Sequence, residues 1–311
     1  MRVERFTGTA RKLWDEFVQA SSTGTFLFLR DYMDYHQDRF EDCSLMVFGT
    51  TGEPLALLPA NRRGDVLESH GGLTYGGLVA GALTTPQTLA VFDALLEDLR
   101  NRSFSGLRYR AMPHVYHRVP AQADLFALTR HGARIVHRTA LSILDTRNPG
   151  PTQSRRVRGA RRARAAGLVC RETGALKAYW SLLTDALRET YGAQPVHSLE
   201  EIDRLRRRFP HNIRLFGCFR GITLVAGVLV YESATVARAQ YIAASQAGKE
   251  LAALDLVFDV LLHEIFPDKP YFDFGTSEAS DRHHLNPGVI EFKESLGART
   301  VIQDTYELSL L

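Results

Sequence analysis

Cysteine, net charge and long apolar runs are all scarce in this chain of 311 residues. The three cysteines, Cys43, Cys170 and Cys218, are far apart in sequence, and no pair of them has metal-ligand spacing. A count of three cysteines, which is small and uneven, excludes a scaffold held together by several disulfides and favours a reducing compartment. The formal net charge of +3 is small for this length and gives no reason to expect a broad nucleic-acid or membrane surface.

Apolar segments long enough for a membrane are missing as well. The longest apolar run, residues 222–231, is interrupted by Thr223 and Gly227 and is too short to cross a bilayer. The first residues have no apolar stretch of the signal-peptide type, and neither a Walker nor a Rossmann glycine fingerprint is present. The composition, 45% hydrophobic and 23% charged, is that of a globular protein. We therefore expect a cytoplasmic protein with no membrane partner and no metal.

The most informative segment lies near the C-terminus, where a short apolar strand at 271–274 is followed by a helix. Asn286 is a good N-cap, Pro287 suits the first turn and Gly297 suits the end of this helix. Lys293 follows Val289 by four residues and therefore lies inside the apolar face of the helix. An inward-pointing lysine needs an anionic partner, such as a developing oxyanion or a phosphate. The alternative is a lysine whose stem crosses apolar surface and whose charge reaches water.

Both halves of the chain show the same order of elements, β-β-β, loop, α, β, α, β. In the second half, residues 213–219, 222–231 and 235–244 predict an antiparallel meander whose middle strand is apolar on both faces and therefore central. A polar loop at 245–250 and a helix with an apolar face at 251–265 follow. In the first half, strands at 44–49, 54–60 and 66–69 precede a glycine-rich loop at 70–77 and a helix that begins near Thr85.

A Pro-Gly-Pro linker near residue 149 separates the halves, which predicts domains at 1–148 and 149–311. An arginine-dense helix at 153–166 follows this linker. Arg155, Arg158 and Arg162 share one face of it, and such a row of bidentate donors suits phosphate. A solvated helix and a nucleic-acid contact are the alternative interpretations of the same stripe.

This order of elements resembles the GNAT acyltransferase superfamily, in the tandem form of Fem-type aminoacyl ligases and sugar N-acyltransferases. The resemblance covers nearly the whole chain, and its most specific pieces are residues 69–77, 273–275 and 292–299. It implies two GNAT-like lobes, each a mixed, mostly antiparallel sheet flanked by helices, with the active site in the cleft between them. It also implies that Lys293, which follows Phe292 in the last helix, stabilises the acyl-transfer centre.

The resemblance implies transfer of an acyl group to an amine, with acyl-CoA as the donor. The segment 245–250 corresponds to the GNAT loop that holds the CoA pyrophosphate, and Gln246, Gly248 and Lys249 are its candidate contacts. This segment has a single glycine and a single lysine, whereas the usual loop has a basic residue and two spaced glycines. Which lobe holds the donor is therefore open.

The reaction needs a proton acceptor, and four residues are candidates. His70 ends a strand and opens the glycine-rich loop, and its ordinary pKa suits proton transfer near neutrality. Asp273 lies between two phenylalanines, where a buried carboxylate needs partners or a raised pKa. Glu278 and Asp281 follow in the next loop. The alternatives are a histidine held by a backbone carbonyl and an aspartate that pairs locally.

Candidate substrate contacts lie around the same two loops. Tyr75 is flanked by glycines and could stack on a base or a sugar ring, although it could also fill the core of its own domain. We expect the following further residues to touch the substrate: Gly72, Arg158, Arg162, Ser277, His284 and Asn286. His283 belongs to the same loop, where histidines are commonly only solvated.

The leading functional expectation is an N-acyltransferase that moves an acyl group from acyl-CoA to a small acceptor, preferably a nucleotide-linked amino sugar. The first alternative is a Fem-type ligase that uses aminoacyl-tRNA on a peptidoglycan precursor, and nucleic acid is expected only in that case. The second is a non-catalytic binding module on a degenerate GNAT fold. The oligomeric state does not follow from the sequence.

Overall fold

A computed structural model of the chain describes residues 1–279 and 284–311, apart from the Tyr191 side chain. Asp281 and His283, named above as candidates, lie outside the described residues. The chain divides into two compact units, Met1–Thr139 with Ile302–Leu311 and Ala140–Val301. The final strand, Arg299–Ser309, is divided between the units: residues 299–301 belong to the second unit and residues 302–309 to the first.

Helices and mostly antiparallel strands alternate, which confirms the predicted α/β class. The strands are β1 (Arg2–Arg5), β2 (Leu45–Phe48), β3 (Pro54–Leu58), β4 (Asn61–Arg63), β5 (Val66–Glu68), β6 (Val79–Ala80), β7 (Gly106–Arg110), β8 (Arg134–Asp145), β9 (Leu168–Glu172), β10 (Ile213–Arg220), β11 (Thr223–Glu232), β12 (Val236–Ala244), β13 (Tyr271–Thr276) and β14 (Arg299–Ser309). The helices are α1 (Arg11–Ala20), α2 (Arg30–Met33), α3 (Thr85–Asn101), α4 (Ala123–Arg130), α5 (Ser154–Ala165), α6 (Leu176–Tyr191), α7 (Leu199–Arg208), α8 (Gln246–Glu250), α9 (Ala253–Val260) and α10 (Pro287–Ser295).

In the first unit, β1, β2, β3 and β6 form one antiparallel sheet in that order. A second succession runs β4-β5-β7-β14, in which only the β5–β7 pair is parallel. Helix α3 begins with a Thr84–Gln87 capping box and has Pro86 in its first turn, so its start is set by local sequence. Its apolar face, which includes Phe92, Leu95 and Leu99, is buried in the core of this unit.

In the second unit the strands follow the order β8-β13-β12-β11-β10-β9. Strand β11 pairs antiparallel with both β10 and β12, so the predicted meander and its central strand are confirmed. The β12–β13 pair is parallel, and β13 pairs antiparallel with the end of β8. Helix α9 packs its apolar residues into this unit's core and continues as a π-helical turn over Leu261–Ile265.

No helix in the part of the chain that the structure describes combines the length and the apolar character that a membrane crossing requires.

Candidate functional site

Helix α10 carries Lys293 and begins as the sequence predicts. The Asn286 side chain accepts a hydrogen bond from the Val289 amide at 3.1 Å, and Pro287 is the first helical residue. Gly297 follows the helix at a φ of +94°, a left-handed conformation that glycine adopts without strain. This register turns Lys293 inward, and only 4% of the residue is exposed. The interpretation of Lys293 as a lysine whose charge reaches bulk water is therefore wrong.

The Lys293 ammonium is held by the end of strand β13. Its Nζ donates hydrogen bonds to the Gly275 carbonyl at 3.1 Å and to the Thr276 carbonyl at 2.5 Å. The pairing of β13 with β8 shifts register between Asp273 and Thr276, and Gly275 has a φ of +74°. This irregularity departs from the regular ladder and directs two successive carbonyls to one ammonium. An ammonium has three N–H donors, and the structure provides no third acceptor for Lys293 within residues 1–279 and 284–311.

A buried ion pair lies beside the lysine. Arg238 on β12 is directly opposite Asp273 on β13, and its Nη1 donates to Asp273 Oδ2. The other carboxylate oxygen accepts the Gly275 amide at 2.6 Å. Asp273 is completely buried. Its carboxylate therefore supports the irregular end of β13 and does not lie open to a substrate. This arrangement corresponds to the local pairing that the sequence analysis gave as the alternative to a catalytic base.

Burial lowers the pKa of Lys293 from 10.5 to about 8. Loss of hydration disfavours the charged ammonium and is the largest cause. The nearby Asp273 carboxylate raises the pKa and the Arg238 guanidinium lowers it further. The ammonium is consequently the main form at neutral pH, yet it changes charge within the range in which enzymes work.

This lowered pKa predicts a pH dependence of stability. Between pH 8 and 10.5 the unfolded chain keeps the proton that the folded protein has released, so the free energy of unfolding should rise with pH. We expect wild type to gain roughly 3 kcal/mol across that window relative to Lys293→Met. Urea unfolding of both proteins at several pH values measures the gain. The control, Lys12→Met, removes a lysine whose side chain is 88% exposed. Parallel curves for wild type and Lys293→Met would contradict the burial of the charge.

Ser277 and its neighbours adjoin the two carbonyls that hold Lys293. Ser277 is buried, and its Oγ finds no hydrogen-bond partner among the described residues. The Asn286 amide donates to the Ser277 carbonyl at 2.8 Å, and Glu278 forms a bridge with Leu285. These bonds bring the start of α10 back to the end of β13. Asn286 uses its side-chain oxygen as a helix cap.

Glu278, which forms the bridge with Leu285, is half-buried, and His284, which precedes Leu285, is exposed. The structure thus brings together Lys293, Ser277, Glu278 and Asn286 around the end of β13. Of this group, Lys293 and Ser277 combine burial with unused hydrogen-bonding capacity.

His70 belongs to the first unit and is buried there against other aromatic rings. Its ring stacks on His36 at 5.1 Å between centroids, and Phe40 contacts it from another side. Burial, assisted by His36, lowers the pKa of His70 to about 3. A histidine with so low a pKa is neutral at pH 7 and is a weak base. This environment disfavours His70 as the proton acceptor.

Tyr75 and Gly72 are also part of the packing of the first unit. Tyr75 is 2% exposed, packs its ring on Phe28 and Tyr116, and donates its hydroxyl to Thr25 at 3.2 Å. It therefore fills the core and offers no ring for a substrate to stack on. A Cβ at Gly72 would lie 2.4 Å from His36 Nε2, so this glycine is needed for close approach of a side chain of the protein itself.

The arginine-dense helix, α5, divides its arginines between structural and exposed positions. Arg156 is half-buried, donates to Ser295 and Asp255, and lies over the Phe292 ring at 4.6 Å. Arg158 and Arg162 are exposed, and they donate to Ser154 Oγ and to the Glu250 carbonyl. These two guanidiniums remain accessible to a phosphate-bearing ligand.

Residues 246–250 form helix α8, a single capped turn, where a loop was expected. Ser245 Oγ accepts the Gly248 amide at 3.1 Å, and a Cβ at Gly248 would meet the Val225 carbonyl at 2.2 Å. The glycine thus serves the packing of α8 on β11, and its amide is already occupied. Gln246 and Lys249 are exposed, and Gln246 bonds to Glu250 at 3.1 Å.

Sequence reasoning missed Arg238, the partner of Asp273. The available signal was an arginine among small apolar residues in the third strand of the predicted meander, since a charge in such a strand requires a partner. The partner itself could not be named, because it depends on which strands pair and in which register.

No protein-family model and no curated protein sequence matches this chain. Among solved structures, the chain is similar to FemX at 12% identity and a TM-score of 0.68, covering 98% of this chain and 97% of FemX. It is similar to L-PGS from Bacillus licheniformis at 10% identity and a TM-score of 0.59, covering 99% and 93% of the two chains.

A third similar structure is a tandem GNAT protein from the clavulanic acid biosynthesis pathway, at 12% identity and a TM-score of 0.52, covering 100% of this chain and 98% of that one. Likeness at such low identity establishes the fold alone. The chain has a tandem GNAT-like fold similar to that of FemX, as the element order predicted.

Proposed function

We propose that this protein transfers an acyl group to an amino group and that Lys293 stabilises the charge which develops during the transfer. The observation that carries this proposal is the Lys293 ammonium, which is buried, fixed by two carbonyls and left with a third donor. Preorganised donors in a water-poor environment are the most effective means of stabilising an oxyanion. The fold shared with FemX and with a tandem GNAT protein supports the reaction class.

The proposed reaction uses few protein groups. The nitrogen of a neutral amine attacks the acyl carbonyl carbon, which forms the C–N bond and places negative charge on the carbonyl oxygen. Lys293 Nζ–H donates to that oxygen, and the buried Ser277 hydroxyl is a candidate second donor. Collapse breaks the bond to the leaving group, a thiolate for a thioester, and the proton lost by the amine ends on that leaving group. Glu278 is the candidate that carries the proton.

Acyl-CoA is the first candidate donor and a nucleotide-linked amino sugar is the first candidate acceptor. Both carry phosphate, and the exposed guanidiniums of Arg158 and Arg162 suit phosphate recognition. The exposed Gln246 and Lys249 lie on α8, whose end contacts Arg162 through the Glu250 carbonyl, and they would contribute to donor binding.

Aminoacyl-tRNA is the second candidate donor, as in a Fem-type ligase. The structure of α8 favours this donor over acyl-CoA, because the Gly248 amide already donates to Ser245 Oγ and is not available to a CoA pyrophosphate. The arginines exposed on α5 would serve a nucleic-acid backbone equally well.

Thermal unfolding with each donor tests these alternatives. A ligand that binds only the folded state at about 100 times its Kd should stabilise the protein by roughly 2.7 kcal/mol, and acetyl-CoA or CoA is expected to do so. The double variant Arg158→Gln/Arg162→Gln should lose most of the shift. The control Arg188→Gln, which removes an exposed arginine from α6, should keep it.

Each outcome of that experiment has a defined meaning. Stabilisation by charged tRNA but not by CoA esters would replace the acyl-CoA proposal with the ligase. Binding of a donor without any amide product, measured by mass spectrometry with a panel of amines, would leave a non-catalytic binding module and end the proposal of acyl transfer.

A further inference from the structure

The first unit contains a cavity that the proposed chemistry does not use. Its volume is about 690 Å³, which is in the range of small-molecule sites. Three segments contribute to its lining: residues 22–23, residues between 78 and 88 that lead into α3, and residues between 119 and 126 that lead into α4. All of these residues belong to the first unit, so the cavity exists within one compact body.

Asp124 is the one ionisable residue among the described residues that line the cavity. Lysine, arginine and histidine do not occur among these lining residues, and the structure gives Asp124 no cationic partner within residues 1–279 and 284–311. The wall therefore carries a single acidic group. A carboxylate that is removed from water without a cation is costly, and a positively charged ligand would offset that cost.

A hydrogen bond from Tyr109 holds the Asp124 carboxylate in place. Tyr109, which is fully buried, donates its hydroxyl to Asp124 Oδ2 at 2.5 Å, and the same hydroxyl accepts the Leu78 amide at 2.6 Å. Gly77 has a φ of +94°, and a Cβ there would lie 2.9 Å from the Tyr109 hydroxyl. Glycine is thus required for this chain of hydrogen bonds. Each carboxylate oxygen has two lone pairs, so the group can accept further hydrogen bonds from a ligand.

Desolvation raises the pKa of Asp124 from 3.8 to about 6, with the hydrogen bonds from Tyr109 and Leu125 opposing the rise. The group is therefore mainly a carboxylate at neutral pH. Its environment disfavours the charge, as expected for an anion that has no paired cation.

The rest of the cavity wall favours an apolar ligand body. Val119 and Phe126 line it and are 54% and 50% exposed, although both are large apolar side chains. Leu78 and Leu83 add apolar surface on the other segment. Exposed apolar side chains that converge on a concave, mostly apolar wall are typical of a ligand site.

We propose that this cavity binds a small organic cation, with an ammonium group on the Asp124 carboxylate and an apolar body against Val119 and Phe126. Charge complementarity and the exposed apolar wall select this class of ligand over an anion or a neutral polar molecule. The site is independent of Lys293 and does not rest on acyl transfer.

Three probes of the same shape test the proposal by isothermal titration calorimetry: 4-phenylbutylammonium, 4-phenylbutan-1-ol and 4-phenylbutyrate. We expect the cation to bind about tenfold or more tightly than the alcohol, because it forms a charged hydrogen bond, and we expect no binding of the anion. Asp124→Asn should lower the affinity for the cation to that for the alcohol and leave the alcohol unaffected.

Two further variants make the result independent of folding defects. Glu97→Gln removes an exposed carboxylate from α3 away from the lining residues and should leave all affinities unchanged. Phe126→Ala should weaken the cation and the alcohol by the same factor, because it removes apolar contact and keeps the charge. Equal binding of the cation to wild type and Asp124→Asn, equal binding of the anion and the cation, or no binding of any probe would overturn the proposal.

Discussion

Replacing Asp273 with asparagine should lower the free energy of unfolding by about 3–5 kcal/mol. The Asp273 carboxylate is completely buried, and the side chain of its partner Arg238 is 16% exposed. Asparagine keeps an oxygen for the Gly275 amide but presents either a neutral oxygen or an N–H donor to the guanidinium. The Arg238 charge would then lose the Asp273 counter-charge in the interior of the second unit. Urea unfolding at pH 7 measures the loss.

Two comparisons isolate the ion pair. Asp185→Asn removes the carboxylate that pairs with Arg188 on the surface of α6, where both side chains are more than half exposed, and should cost less than about 1 kcal/mol. The double variant Arg238→Met/Asp273→Leu removes both charges and should recover most of the stability, because an uncompensated charge is costlier than a missing pair. A loss below about 1 kcal/mol for Asp273→Asn would show that water reaches Arg238.

Replacing Lys293 with methionine should lower kcat for acyl transfer by a factor on the order of 10²–10³, which is the typical loss when one oxyanion donor is removed. Methionine is similar in length and apolar, so it preserves the packing of α10. The affinity for the acyl donor should change little, because in the proposed function the donor's phosphates are bound by Arg158 and Arg162 and not by Lys293. Steady-state kinetics with the donor that stabilises the protein and a saturating amine provide both values.

A matched lysine is present in the same unit. Lys269 Nζ donates to the Ser233 carbonyl at 3.0 Å and pairs with Glu232 at 2.9 Å, and its side chain is 18% exposed. Lys269→Met therefore removes a half-buried, carbonyl-bound ammonium whose partners lie at the end of β11 and just after it, and it should keep nearly all of kcat. Equal losses in the two variants would mean that Lys293 supports the fold and takes no part in the reaction.

The features that the sequence predicted well are those set by local spacing. The cap at Asn286, the end at Gly297 and the inward turn of Lys293 all depend on residues within one helix. The apolar character of the middle strand of the meander likewise predicted its central position, because a strand covered on both faces needs apolar residues on both faces.

The features that sequence reasoning could not supply depend on contacts between distant residues. The Arg238–Asp273 pair requires the parallel register of β12 on β13, which no local pattern specifies. Tyr75 packs against Phe28 and His70 against His36, and these ring contacts between residues distant in sequence place both side chains in the interior. The Ser245 side chain caps helix α8. In a polar segment of only five residues, a capping serine alone did not distinguish a short helix from a loop.

The pH dependence of kcat in wild type and in Lys293→Met tests the role of the lysine most directly. If the protonated ammonium stabilises an oxyanion, wild-type kcat should fall as the pH rises through about 8, and the variant should lack this descending limb. A wild-type kcat that rises through the same range, or an identical descending limb in both proteins, would contradict the assignment of Lys293 as the oxyanion donor.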